Sequence, residues 1–280
     1  MLSKNTKTRF ADIFTYVILI VFSVVVLLPF LWMIFSSFKT PGEIWTFPPV
    51  FMPKKFQWSN YIEAWKALPF DRFLFNSVFV TLCVTVGQLF TCSLGGYAFA
   101  RLRFPGRDKI FLMYLATMMI PFPVLMIPLF IIMRTLGWID TLQALIVPCL
   151  FSAWGTFLMR QFMMGIPTAL EDAAKIDGCS YWKLYWRIIV PLCKPVFATL
   201  GIFTFMGTWN QFFWPLIMIN SIENKTLPLG LVMFQTRIAA ETPWHLIMAA
   251  SCATVLPVII LFVIGQKYYV KGIVTSGLKG

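Results

Sequence analysis

Residues 13–38 read IFTYVILIVFSVVVLLPFLWMIFSSF and contain no Asp, Glu, Lys or Arg. About 20 mostly apolar helical residues are enough to cross the ~30 Å hydrocarbon core of a bilayer. Five more charge-free runs follow, at 73–100, 110–133, 141–159, 195–222 and 242–266. The pattern predicts an all-α integral membrane protein with six transmembrane helices. Composition agrees: of 280 residues 59% are hydrophobic and 12% charged, against about 25% charged in a soluble domain. Lys4, Lys7 and Arg9 precede the first run as they would in a signal peptide. That run is too long for one and has no small-residue cleavage site, so it reads as a retained first helix.

Orientation follows from the basic residues. With the N-terminus inside, the inner segments carry 15 of the 23 Lys and Arg side chains, including Arg101, Arg103, Arg107, Lys109, Arg160, Lys175, Lys183, Arg187 and Lys194. The short outer loop has only Arg134, and short loops decide topology. Both termini are therefore expected in the cytoplasm. The net charge of +12 is then mostly positive-inside bias and requires no nucleic-acid partner. Residues 39–72 read as a long outer loop rich in Pro and Trp, suited to the membrane interface. Residues 218–243 read as a second outer loop, with Pro228, Gly230 and Pro243 as breakers. One transmembrane domain covers 1–280.

Several chemistries are missing. There is no GxxxxGK[ST] stretch to cradle nucleotide phosphates, and no HExxH, GxSxG or paired-carboxylate constellation. The six cysteines form no CxxC pair, and His245 is the only histidine, so no metal is expected. Polar residues deep in the spans are neutral: Gln88, Thr117, Thr156, Thr204, Asn210 and Gln211. Ion-driven carriers usually keep ionisable groups at that depth, so energy is expected from outside the membrane.

The most informative loop is 165–195, GIPTALEDAAKIDGCSYWKLYWRIIVPLCKP. Thr168 and Glu171 have capping-box spacing, which predicts a helix over Ala169–Asp177. Gly178 suits a left-handed position after it, and Ser180 can cap a second segment through Arg187. Pro191 and Pro195 mark the start of the fifth span. The result is a short exposed helix in which Ala173 and Ala174 leave room for a partner and Asp172 offers a carboxylate. From the residues alone, a solvated loop helix with ordinary caps fits as well.

This segment resembles the "EAA" loop of ABC-importer permeases. Asp172-Ala173-Ala174 stands at EAA, with Asp where Glu is usual; Asp177-Gly178 and Val190-Pro191 follow at the family's spacing, and Glu171 is placed to share the role of Asp172. Residues 208–216 (TWNQFFWPL) with 226–230 (TLPLG), and the ending QKYYVKG at 266–272, resemble maltose-type carbohydrate permeases. The resemblance implies a type I ABC importer permease fold in a prokaryotic cytoplasmic (inner) membrane. Its loop, about 165–191, would be a coupling helix that docks on an ATPase through Glu171, Asp172, Ala173, Ala174, Asp177 and Gly178.

Also implied are a second permease in a heterodimer, two ATPase subunits that bind ATP and Mg, an extracytoplasmic substrate-binding protein reached by residues 219–243, surrounding lipid, and a cytoplasmic tail at about 267–280. No cofactor is expected in this chain itself, and it is expected to be a transport subunit, not an enzyme. Carbohydrate would move by alternating access. Candidate sugar contacts are Asn210, Gln211, Trp209 and Trp214, which combine hydrogen bonding with flat apolar faces; helix packing and an interfacial aromatic belt account for the same residues. The alternatives are a stand-alone secondary transporter or channel, and a membrane enzyme or assembly factor.

Overall fold

The computed structural model of the protein describes residues 4–237 and 242–277, with side chains over 12–234 and 242–265. The chain begins with α1 (Lys4–Ser37), α2 (Pro41–Ile44), α3 (Ser59–Ala67) and α4 (Phe70–Arg101). Next come α5 (Arg107–Ala116), α6 (Phe122–Thr135), α7 (Leu142–Ile146), α8 (Ala153–Met164) and α9 (Ala169–Ile176). After α10 (Tyr181–Leu184) and a π-helical turn (Tyr185–Ile189) stand α11 (Val190–Leu192), α12 (Lys194–Trp209), α13 (Phe213–Met218), α14 (Leu227–Arg237) and α15 (Trp244–Gly277).

Four stretches are long and apolar enough to cross a bilayer: Asp12–Ser37, Phe70–Arg101, Leu142–Met164, which joins α7 to α8, and Trp244–Gly265. Two more are bent pairs, Arg107–Met119 with Phe122–Thr135 at 100°, and Tyr181–Leu192 with Lys194–Trp209 at 77°. Counting each bent pair as one span gives the six predicted, the third and fifth of them not straight. Prolines account for both bends. Pro121 drives Ile120 to extended backbone (φ −84°, ψ 115°), as the residue before a proline prefers. Pro191 and Pro195 flank the second break, where neither can donate to the helix ladder.

Several expectations are corrected. The run 195–222 is not one helix: α12 stops at Trp209, Asn210 caps it, and α13 is separate. The 39–72 loop contains α2 and α3. Pro228 and Gly230 do not break the second outer loop but lie inside α14. Pro228 falls in its first turn, where a missing N–H costs nothing. Gly230 lets the Phe73 ring close on the backbone, a space that a Cβ would fill. The segment after Ser180 is α-helical only to Leu184 and then turns π-helical. Residues 267–277 continue α15 as helix, and 278–280 of the expected tail lie outside the described residues.

The chain divides into two units, Met1–Leu68 with Leu231–Leu256, and Pro69–Gly230 with Pro257–Gly280. In the first, Asn60 Nδ2 donates to the carbonyls of Ser37 and Lys39, both at 2.9 Å. Lys39 is buried; its Nζ donates to the Val50 carbonyl at 2.7 Å and sits 4.0 Å from the Trp32 ring centroid.

The second unit is organised by α4, which packs along α8 and α12. Glycine allows the close approach: a Cβ on Gly96 would lie 2.6 Å from Met159 Cβ and 3.0 Å from the Arg160 backbone nitrogen. Gly96→Ala is therefore expected to cost about 1–3 kcal/mol by overpacking, read as a lower melting temperature of the purified protein. Gly95→Ala meets only the Thr156 methyl, at 3.1 Å, and should cost less. Equal melting temperatures would contradict this packing.

Candidate functional site

The α8–α12 connection is built around a buried ion pair. Arg101, the last residue of α4, places Nε 2.8 Å from Glu171 Oε1 of α9, with both side chains 6% exposed. The approach is ionic, because neither of those two atoms makes an aligned hydrogen bond. Arg101 Nη2 instead donates to the carbonyls of Met163 and Ile166, at the end of α8 and just beyond it. One guanidinium thus ties α4, α8 and α9 together, with the rigid fork that lysine lacks. The capping box expected from Thr168 and Glu171 does not form: Thr168 has helical backbone angles and makes no side-chain cap, because Glu171 is drawn to Arg101. Glu171 is turned away from the exposed face where it was expected to join Asp172. Ala174 is likewise buried, against a cluster that includes Leu184, Tyr185 and Ile189.

The remaining loop residues point outward. Asp172 has a side chain 65% exposed, 3.6 Å from Lys175 Nζ, a surface pair of little energetic weight. Ala173, Lys175, Asp177 and Gly178 are exposed, and Ile176 is 87% exposed. Gly178 takes φ +75°, the left-handed position expected of it, and Ser180 Oγ accepts from Lys183 N at 3.3 Å, the expected cap. Behind the loop, the π-turn residue Tyr185 shares a 2.6 Å hydrogen bond with Ser93 of α4.

A second constellation was not foreseen. Asp140, between α6 and α7, has a left-handed backbone (φ 62°). Its Oδ1 accepts from Asn220 N, Ser221 N and Ser221 Oγ, each at 2.9 Å. Asn224 Nδ2 donates to the Asp140 carbonyl at 2.6 Å. From α4, Asn76 Nδ2 donates to the Glu223 and Lys225 carbonyls at 2.7 and 2.9 Å. The α13–α14 loop is thereby gripped on two sides by side chains far away in sequence.

The third feature is a cavity of about 360 Å³ lined by α4, α8 and α12 residues. Gln88 Nε2 donates to the Cys149 carbonyl at 2.7 Å, and its Oε1 accepts from Thr204 Oγ1 at 2.9 Å. Trp154, edge-on to Phe203 at 5.5 Å, and Thr208 and Gln211 complete the walls. Of the four candidate sugar contacts, only Gln211 lines this cavity. Trp214 is buried and donates its indole N–H to the Ala144 carbonyl at 2.9 Å. Trp209 is buried and stacks on Phe205. Asn210 bonds back to the Met206 carbonyl at 2.9 Å, as a helix end requires. Gln88 and Thr204, seen in sequence only as neutral polar residues in spans, prove to be cavity residues. Among the described residues, no group of three His, Cys, Asp or Glu is placed to hold a metal.

Residues 92–275 match the family described as the binding-protein-dependent transport system inner membrane component, a stretch that runs from mid-α4 through the Glu171 loop and the cavity residues beyond Gln88 into the last turn of α15. The chain belongs to this family. It is a multi-pass transport subunit and not an enzyme. The permease is 34% identical over 255 residues to the arabinooligosaccharides transport system permease protein AraQ of Halalkalibacterium halodurans, covering 90% of this chain and 91% of that one. It is 31% identical over 274 residues to the sn-glycerol-3-phosphate transport system permease protein UgpE of Yersinia enterocolitica, covering 96% and 98%. In fold the permease matches a chain of a bacterial ABC transporter involved in the import of the acidic polysaccharide alginate, with a TM-score of 0.86, 24% identity and coverage of 96% and 99%. It also matches, at a TM-score of 0.68 and 12% identity over 94% of this chain and 95% of that one, a chain of a bacterial alginate ABC transporter in complex with an alginate pentasaccharide-bound periplasmic protein.

Proposed function

We propose that the permease is one membrane half of an ATP-driven importer for a carbohydrate, working by alternating access with a second permease, two ATPase subunits and an extracytoplasmic binding protein. It sits in the inner membrane with both termini in the cytoplasm, and its two units act as one transmembrane domain. It holds no cofactor; ATP and Mg belong to the partner ATPases. The observation that carries this reading is α9, a short helix exposed between two membrane-embedded stretches and rooted in the spans by Arg101. On its outward side Asp172, Ala173, Ile176, Asp177 and Gly178 give a small apolar knob ringed by carboxylates, suited to a cleft on an ATPase. A ligand or nucleotide shifts a conformational equilibrium only by preferring one state. ATPase closure acts here by changing the seat of α9, and Arg101 passes the displacement to α4 and α8. The carbohydrate assignment is supported by the arabinooligosaccharide permease among the relatives and by the neutral polar residues of the spans.

The test uses Asp172→Ala combined with Ile176→Ala, both outward, in place of any change at buried Glu171. Uptake by the whole transporter should fall at least tenfold and the ATPase should no longer co-purify, while the second permease still does. Wild-type uptake in this double variant would remove α9 as the docking element. Uptake by the chain alone in liposomes would favour a self-sufficient carrier.

A further inference from the structure

The cavity between α4, α8 and α12 contains no charged side chain. Gln88, Thr204, Thr208 and Gln211 offer neutral hydrogen-bonding groups, and Trp154 and Phe203 supply aromatic wall. The Gln88 amide is fixed at both ends, by the Cys149 carbonyl and the Thr204 hydroxyl, yet an amide nitrogen has a second hydrogen and its oxygen a second lone pair. A phosphate or carboxylate brought here would give up part of its hydration and meet no counter-charge on the lining, at a cost that neutral hydroxyls do not incur. At about 360 Å³ the space lies near the lower end of ligand sites, about 300–1,000 Å³, which suits one sugar ring better than a chain of them. Gly207 forms part of the wall, and a Cβ there would meet no atom within 4 Å, so the cavity owes part of its volume to a missing side chain.

We infer that this cavity is a subsite for one ring of an uncharged saccharide, and that the permease rejects glycerol phosphates and uronates. The inference rests on the carbohydrate reading above and narrows it. Amide and hydroxyl groups engage ring hydroxyls while an aromatic wall covers an apolar sugar face, a division of labour that an amphipathic ligand needs.

The test measures uptake of radiolabelled arabinotriose, maltotriose, sn-glycerol 3-phosphate and an alginate trisaccharide by cells carrying the whole transporter. Wild type should take up at least one neutral trisaccharide and neither anion. Gly207→Leu projects a side chain from a position where a Cβ meets nothing within 4 Å, and Gln211→Leu removes an amide at nearly constant volume; each should lower neutral uptake at least tenfold. Co-purification of the complex in wild-type yield shows that these variants fold. Neutral uptake that survives both variants overturns the subsite while leaving the carbohydrate reading intact. Uptake of either anion overturns the discrimination. No uptake of any of the four removes the carbohydrate reading, and the subsite with it.

Discussion

Arg101→Ala is expected to lower stability by about 3–5 kcal/mol, because it strands the buried Glu171 carboxylate without its partner. The same change removes the donor that the Met163 and Ile166 carbonyls share. The purified variant should melt well below wild type, or fail to accumulate in the membrane. Arg101→Met combined with Glu171→Leu should recover most of the loss, since replacing both members of a buried pair with apolar groups is often close to neutral. Recovery of folding without recovery of uptake would place the pair in force transmission as well as in packing. A wild-type melting temperature for Arg101→Ala would contradict the 2.8 Å contact as an energetic one.

Asp140→Ala should free the α13–α14 loop. Three hydrogen bonds to one carboxylate oxygen disappear, and alanine must hold a left-handed backbone that aspartate tolerates better. A local loss of roughly 3 kcal/mol is expected, because hydrogen bonds to a charged group each contribute about 1.5–3 kcal/mol and do not add fully. Hydrogen exchange at the Asn220 and Ser221 amides should accelerate by about a hundredfold, and Asp140→Asn should retain much of the protection. The grip also depends on pH. Burial pushes the Asp140 carboxyl upward, but the donors from Ser221, Asn220 and Asn224 outweigh it and hold the group below the usual carboxylate range. A depressed folded value means that the stabilisation is present above about pH 4 and is lost as pH falls through the folded value. Asp140→Asn showing the same acid-induced loss of protection as wild type would contradict it.

The spans were legible because apolarity is a property of runs and needs no knowledge of partners. The bends were partly legible: Pro191 and Pro195 were read as punctuation, whereas Pro121 was passed over inside a run that looked continuous. The helix at 169–176, its left-handed Gly178 and the Ser180 cap were legible because their causes lie within four residues. Glu171 was misread for the same reason. Thr168-x-x-Glu171 is a valid local pattern, but Arg101, seventy positions earlier, competes for the carboxylate and wins. Asp140 gave no signal, since its partners lie some eighty residues on and a lone aspartate in a turn is ordinary. Trp214 resembled a sugar platform until the Ala144 carbonyl and a packed interior claimed both its edge and its faces. Gln88 showed its polarity in sequence but not its neighbours.

Helix α4 runs unbroken for 32 residues without a proline. Near its start Asn76 holds the α13–α14 loop, and its last residue, Arg101, holds α9. At 1.5 Å rise per residue these two anchors stand roughly 37 Å apart, more than the ~30 Å thickness of a hydrocarbon core. The helix is in effect an inextensible strut with a load fastened at each end. A displacement of this helix along its own axis therefore bears on both loops at once, because each is fastened to it by side-chain contacts.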